Sequence, residues 1–298
     1  MKIMLISVII PAFNAQNCIK RCFDSVENQT YRNLEAIFID DGSSDKTAEI
    51  IEDLIAQNSK NENPIKYKLV INPENQNVYN SRNTGIKNSN GEYLTYLDAD
   101  DEFLPESMET FADFAKKYDY PDVICGQYKR IENGNIVEQK QTSAPPEYLN
   151  DISEIRKTLY TKNGFCEMLW AKLIKKSFVI ENNLLFCGEI SHHEDLLAVY
   201  KIYNSAKTAL FLTLPVYVYH VDNSSLTRTE GDKYKNISSF AFVLEKMTQN
   251  LENEEDPQSF ALFIVQCIKY NFDKMNSEKE KSLIPRYLKI LEKVKPFI

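Results

Sequence analysis

Tyr93-Leu94-Thr95-Tyr96-Leu97-Asp98-Ala99-Asp100-Asp101 is an apolar, aromatic run that ends in three carboxylates. Tyr and Leu suit a pleated, buried surface, and the run reads as a strand. Carboxylates at the end of a buried strand are costly unless something neutralises them. A divalent cation does so with oxygen ligands, and bound Mg or Mn points in turn to a phosphate-bearing ligand. The run therefore predicts a metal-dependent nucleotide site at a strand end.

The residues before it carry the same message. Leu5-Ile6-Ser7-Val8-Ile9-Ile10 reads as a strand buried on both faces that stops at Pro11. A helix is predicted from about Ala15, capped by Asn14, with Ile19, Cys22, Phe23 and Val26 on its apolar stripe. Leu34 to Ile39 is a second strand, ending in Asp40-Asp41-Gly42-Ser43-Ser44-Asp45. Ser44 is placed to cap the next helix, which carries Ile50, Ile51, Leu54 and Ile55. Lys68 to Ile71 is a third strand, and Tyr79 to Asn88 a third helix that contains Arg82 and Asn83. Such alternation predicts a parallel α/β sheet, whose ligands sit beyond the carboxyl ends of the strands. Pro11 to Asn14, Asp40 to Asp45 and Asp98 to Asp101 all fall at such ends and converge on one crevice. Helix N-termini there favour a diphosphate, and Arg82 can add a forked cationic clamp. Asp-Gly-Ser-Ser-Asp alone is good turn and cap sequence. Two such clusters at strand ends weaken a purely structural account. No GxGxxG or Walker-type lysine loop is present, which argues against dinucleotide and P-loop readings.

Five blocks in order carry a family resemblance: Ser7-Val8-Ile9-Ile10-Pro11-Ala12-Phe13-Asn14, Ile39-Asp40-Asp41-Gly42-Ser43-Ser44-Asp45, Ser81-Arg82-Asn83-Thr84-Gly85, Gly91-Glu92-Tyr93-Leu94 and Leu97-Asp98-Ala99-Asp100-Asp101. The chain resembles the family 2 inverting glycosyltransferases of the GT-A fold, strongly over roughly its first 105 residues and more weakly to about residue 230. The resemblance implies a Rossmann-like, mostly parallel sheet flanked by helices, a nucleotide-sugar donor (most often a UDP-sugar) and Mn2+ or Mg2+. It implies that Pro11, Phe13 and Asn14 line the nucleoside pocket and that Asp40 or Asp41 bonds the base. Arg82 would face the nucleotide and its diphosphate. Asp98 would approach the ribose or the metal shell, Asp100 would bind the metal, and Asp101 would face the sugar. Two positions depart from the pattern. Asn77 stands where Gly is usual, and Asn tolerates left-handed backbone. Phe13 stands where Tyr is usual, keeping a stacking face without the hydroxyl.

Further along, Asp122 to Ile131 reads as a strand, Asn133-Gly134 as a hairpin turn, and Ile136-Val137-Glu138 as the returning strand. Thr142 to Tyr148, with Pro145-Pro146, reads as a loop near the acceptor. Trp170, the single tryptophan, either stacks on a sugar or packs in the core. The three histidines are His192, His193 and His220. By resemblance, Glu194-Asp195 is the catalytic acid pair, with Asp195 the base and Glu194 its neighbour or fallback. His220 would complete the metal shell, a placement that suits Mn better than Mg, and Arg228 would help hold the diphosphate. A base within hydrogen-bond reach would take the acceptor hydroxyl's proton as it attacks the anomeric carbon.

The last third is predicted helical, with stripes Phe242, Leu244, Met247, Leu251 and Phe260, Phe263, Ile264, Cys267, Ile268. Lys279 to Ile298 mixes basic and apolar residues, and either packs or lies on an anionic membrane surface. The expected division is a transferase domain over 1–230, its nucleotide-binding half 1–105 and its acceptor half 106–230, followed by a helical region over 231–298. The 298 residues are 43% hydrophobic and 26% charged, as in an ordinary globular chain. A net charge of -8 argues against nucleic-acid binding. The opening residues read as a strand, not a signal peptide. Six cysteines without zinc-type spacing read as small buried thiols and suggest the cytoplasm. The partners expected are a nucleotide-sugar and a glycan or glycolipid acceptor in cell-surface glycan or lipid-linked oligosaccharide assembly, with peripheral contact at the inner membrane face. The alternatives are a sugar nucleotidyltransferase, which would want a Gly-rich triphosphate loop, and a catalytically silent binding module, which would not need to keep Asp98, Asp100, Asp195 and His220.

Overall fold

The computed structural model describes residues 3–58, 64–139, 144–161, 168–186, 192–221, 233–254 and 256–298. The first half alternates β1 (Ile6–Ala12), α1 (Ile19–Glu27), β2 (Leu34–Asp40), α2 (Thr47–Asn58), β3 (Lys66–Ile71), α3 (Val78–Asn88) and β4 (Tyr93–Tyr96). Next come β5 (Glu102–Phe103), α4 (Ser107–Lys117), β6 (Val123–Glu132), β7 (Asn135–Gln139), β8 (Glu147–Leu149), α5 (Ile152–Thr161), β9 (Lys172–Lys175) and α6 (Lys176–Glu181). The chain continues with α7 (Glu194–Ser205), β10 (Ala209–Val221), α8 (Lys233–Met247), α9 (Pro257–Lys274), α10 (Glu278–Lys281) and α11 (Ile284–Val294).

One sheet runs in the order β3-β2-β1-β4-β9-β6-β10-β5, with β7 beside β6 and β8 beside β10. Strands β1 to β4, β6 and β10 point one way, and β5, β7, β8 and β9 the other. The sheet is thus mostly parallel, with antiparallel β9 joining its two halves. Alternate residues feed two helical layers. Val8, Ile10, Ala36 and Phe38 pack with α1 and α4 through Ile19, Phe23, Met108 and Phe111. Ile9, Ile37 and Ile39 join the opposite layer with Tyr79 and Ile86 of α3. That second layer runs on without a break through α5, α7, α8 and α9 to Tyr287, Ile290 and Val294 of α11. The apolar face of the last helix is therefore packed. Among the described residues no helix is long and apolar enough to cross a membrane.

Several local expectations are corrected. Strand β1 does not stop at Pro11 but continues through it to Ala12, in register with Asp40. Asn14 does not cap α1. It adopts a left-handed φ of 50° and its Oδ1 accepts from Ser44 N–H at 2.9 Å, tying the β1 loop to the β2 loop. Ser44 does not cap α2. Asp45 does, its Oδ1 accepting from Thr47 N–H at 3.0 Å. The end of the proposed 142–148 loop is strand, since Glu147 to Leu149 pair with β10, while residues 142 and 143 lie outside the described residues. Trp170 is a core residue: it stacks on Tyr217 at 4.6 Å and on Tyr219 at 5.7 Å. Among the described residues Cys18, Cys22, Cys125 and Cys267 form no disulfide.

Candidate active site

The crevice lies beyond the carboxyl ends of β1, β2 and β4, where the first-half clusters meet. Helix α3 is held tightly against the sheet. A Cβ added to Gly85 would stand 2.3 Å from Ile9 Cγ2, so only glycine lets the helix approach this closely. That approach sets Arg82, one turn earlier, under the end of β4. Its side chain is 3% exposed and touches three carboxylates. The NH1 group donates to Asp195 Oδ1 at 2.5 Å and to Glu194 Oε1 at 3.3 Å, and NH2 donates to Asp98 Oδ1 at 3.2 Å. Residues 82, 98 and 194–195 are thus joined through one buried guanidinium. The resemblance turned Arg82 towards a diphosphate. In the structure its partners are carboxylates.

The charges do not balance locally. Burial alone would lower the Arg82 pKa, but Asp195, Asp98 and Glu194 outweigh it and keep the guanidinium charged. Asp98 is pushed up to about 6 by burial, with Asp195 and Asp100 adding repulsion against the pull of Arg82. Its side chain is 31% exposed, so part of the carboxylate faces the crevice. Glu194 is also raised, first by burial and then by the Asp195 charge beside it. Both acids open α7, whose N-terminal dipole favours carboxylates. Asp195 Oδ2 also accepts from Leu169 N–H at 3.3 Å, which fixes its plane.

Asp101 does not face a sugar. It is 1% exposed and turned onto β10, where Tyr217 O–H and His220 N–H each donate to it at 2.7 Å. Burial raises its pKa well above the carboxylate range. Tyr217 O–H also accepts from Asp98 N–H at 3.2 Å, so one buried tyrosine shapes the turn after β4. His220 Nε2 lies 2.6 Å from Glu102 Oε1, and the Arg21 guanidinium donates to the Asp100 carbonyl. Among the described residues no three His, Cys, Asp or Glu side chains stand together as a metal cluster.

At the other end of the crevice the two acids after β2 separate. Asp41 Oδ1 accepts from Asn72 Nδ2 at 2.7 Å and from Gln76 N–H at 3.0 Å, bracing the chain into α3. Asp40 Oδ2 accepts from Ser43 N–H at 3.2 Å, whereas its Oδ1 is buried with no partner among the described residues. An orphaned buried acceptor is costly unless a ligand donor meets it. Pro11 is buried in β1, Phe13 is 39% exposed, and Asn14 is exposed beside Ser44. Asn77 takes a positive φ of 74° immediately before α3. Arg228 lies outside the described residues.

Sequence reasoning missed Tyr217, Glu102, Asn83, Phe186 and the Leu169 amide as members of this neighbourhood. Tyr217 and Phe186 belong to no motif that marks them as members of a site. The Leu169 group is backbone and carries no side-chain signal.

Residues 7–179 match the glycosyl transferase family 2 profile. The chain belongs to family 2 of the glycosyltransferases. Among curated relatives, "Glycosyltransferase GlyA" of Streptococcus pneumoniae is 27% identical over 77% of this chain and 32% of its own length. "Uncharacterized glycosyltransferase EpsJ" of Bacillus subtilis is 27% identical over 76% of this chain and 63% of its own. The chain thus spans less than two thirds of these two relatives. "Cholesterol galactosyltransferase" of Borreliella burgdorferi is 28% identical over 84% of this chain and 66% of its own length. The fold matches S. aureus TarS 1-349 in complex with UDP-GlcNAc, with a TM-score of 0.77 and 20% identity over 99% of this chain and 84% of that one. The match to TarS 1-349 in complex with UDP has a TM-score of 0.76. The family 2 fold expected from the sequence, GT-A, is the fold observed.

Proposed function

We propose that this chain is an inverting glycosyltransferase that moves a sugar from a UDP-sugar to an acceptor hydroxyl, with Asp195 as general base. The observation that carries it is the buried Arg82 that joins Asp98 at the end of β4 to Glu194 and Asp195 at the start of α7. Nucleotide and acceptor chemistry then meet within one hydrogen-bonded cluster. The complexes of TarS with UDP and UDP-GlcNAc support the donor class.

The nucleoside would enter between Phe13 and Asn14 on one side and Asp40 on the other, its base N–H meeting the orphaned Asp40 Oδ1. Of the two acids of α7, Asp195 is the one held in place by both Arg82 and the Leu169 N–H, so Asp195 is the base we assign. As the acceptor oxygen bonds to the anomeric carbon, its proton passes to Asp195 and the bond to the nucleoside diphosphate breaks. One displacement inverts the centre. Leu169 N–H and Arg82 hold the Asp195 carboxyl in place throughout. Asp98 and Asp100 are the oxygen donors suited to Mn2+ or Mg2+; burial raises the Asp98 pKa, Asp195 and Asp100 add to it, and a bound cation would counter both. Such an ion would stabilise the charge on the leaving diphosphate. His220 would join the set through Nδ1, since its Nε2 is engaged with Glu102. Arg228 is a further candidate for the diphosphate. The setting we infer is surface-glycan or lipid-linked oligosaccharide assembly at the cytoplasmic membrane face.

The test is UDP release from UDP-sugars with Mn2+ or Mg2+, with and without saccharide acceptors. Asp100→Ala should lose metal-dependent UDP binding. Asp195→Ala should keep UDP binding and lose transfer. Normal transfer by Asp195→Ala would overturn the base assignment, and no UDP binding by the wild-type chain with metal present would overturn the donor class.

A further inference from the structure

We propose that Asn83 is a positioning residue for the acid pair Glu194 and Asp195, acting through Phe186 and Arg82. The proposal deepens the transferase reading and rests on it for the role of Asp195.

Asn83 follows Arg82 in α3. Its side-chain amide meets the backbone of Phe186 twice: Oδ1 accepts from Phe186 N–H at 2.9 Å, and Nδ2 donates to Phe186 C=O at 3.1 Å. A carboxamide offers one acceptor and two donors on a planar group, so it can pair with a backbone as a neighbouring strand would. The pairing satisfies both backbone polar groups of a buried residue that lies in no described strand.

Phe186 placed in this way covers the guanidinium. Its ring centroid is 5.6 Å from Arg82 Cζ, and it meets Tyr96 edge-on at 5.7 Å. A cation under an aromatic face, shielded from water, holds its carboxylates more strongly than an open one. Asn83 itself touches neither acid. It holds the cover over the residue that does.

The connectivity adds a second reason. Phe186 and Glu194 are eight positions apart (194 − 186) and are gripped by neighbouring residues of one helix, Asn83 and Arg82. Adjacent Cα atoms are about 3.8 Å apart, so α3 brings both anchor points close together. Removing either grip lets the start of α7 shift against α3. The nearest reporter of such a shift is Leu169 N–H, because its partner is Asp195 Oδ2 at 3.3 Å and it lies outside the helix that carries Asn83. Loss of Asn83 is therefore felt across three contacts: Phe186, Arg82, then Asp195.

The experiment compares wild type, Asn83→Ala and Asn83→Asp in the full chain. Hydrogen exchange at the Leu169 amide is read by NMR, with Asp195→Ala as the control that frees this amide directly. In Asn83→Ala the Leu169 amide should exchange about tenfold faster or more, with Asn72 and Gln76 near Asp41 unchanged. With a UDP-sugar that supports turnover, kcat should fall about tenfold while KM for the donor stays within about twofold. Asn83→Asp should recover activity relative to wild type as pH falls, because a protonated carboxyl again offers one donor and one acceptor to Phe186. Wild-type exchange at Leu169 in both variants would overturn the proposal, as would a loss in Asn83→Asp that is the same at every pH. If Asn83→Ala does not fold, Asn83→Asp decides by the same readouts. Turnover retained by Asp195→Asn would remove the base assignment alone, since the Leu169 exchange is independent of it.

Discussion

Arg82 is the residue on which the crevice depends, and its energetics are those of a buried ion shared among several counter-ions. Three carboxylates surround one cation, and burial, with repulsion among the acids added to it, raises the Asp98 and Glu194 pKa values. Removing the cation strands buried carboxylates, a mechanism that typically costs about 3–5 kcal/mol. Arg82→Met should lose stability on that scale in urea denaturation. The loss should be larger at pH 8 than at pH 6, because protonation of Asp98 and Glu194 relieves their repulsion. A second contrast concerns the two acids after β2. Asp40→Asn keeps an acceptor for Ser43 N–H but weakens the carboxylate that we assign to the base. UDP affinity should fall about tenfold with little change in melting temperature. Asp41→Asn should do the reverse, since Asp41 Oδ1 serves Asn72 and Gln76 inside the protein. Calorimetric UDP titration and thermal melts on both variants separate the two roles.

At the scale of elements, α7 and α8 are coupled by His193. It sits before α7 with a left-handed φ of 62°, meets Phe240 edge-on at 4.6 Å, and its Nε2 lies 3.2 Å from Asn236 Oδ1. Burial lowers its pKa to about 4. An unfolded histidine titrates near 6.5, so between these values the unfolded chain binds the extra proton and folding weakens. Stability is fully present above about pH 6.5 and falls as pH drops towards 4, by up to about 3 kcal/mol at one pH unit per 1.36 kcal/mol. His193→Gln should flatten the melting-temperature profile in that window while leaving other acid transitions in place. The β1 and β2 loops are likewise coupled, through Asn14 and Ser44. Their side chains suggested helix caps because Asn and Ser are good caps. Tertiary partners outbid that local preference.

For the whole molecule, the question is whether residues 231–298 form a separate unit. The hydrophobic layer that begins at Ile9 and Ile37 includes Leu244 of α8, Ile264 of α9 and Ile290 of α11. Arg286 closes this layer at its edge with a forked pair to Glu245, at 2.7 and 2.6 Å. Deleting residues 231–298 would expose apolar surface of α5 and α7. The truncated chain should aggregate, and the full chain should melt in one calorimetric transition with matching van't Hoff enthalpy. Two separated transitions would show an independent helical unit.

Strand-helix alternation and the acids at the ends of β2 and β4 were legible in the chain itself, because burial on both faces forces continuous apolar runs and turns need distinctive residues. The family blocks likewise each lie within one short stretch of strand, loop or helix, where local spacing carries the signal. The partners of Arg82, the turning of Asp101 into the core, the orphaned Oδ1 of Asp40 and the Leu169 amide on Asp195 were decided by tertiary structure alone. Each joins residues far apart in sequence or singles out one of two adjacent identical acids. Side-chain type sets what a group can bond, while the packing of α3, α7 and β10 around one buried cation sets what it does bond.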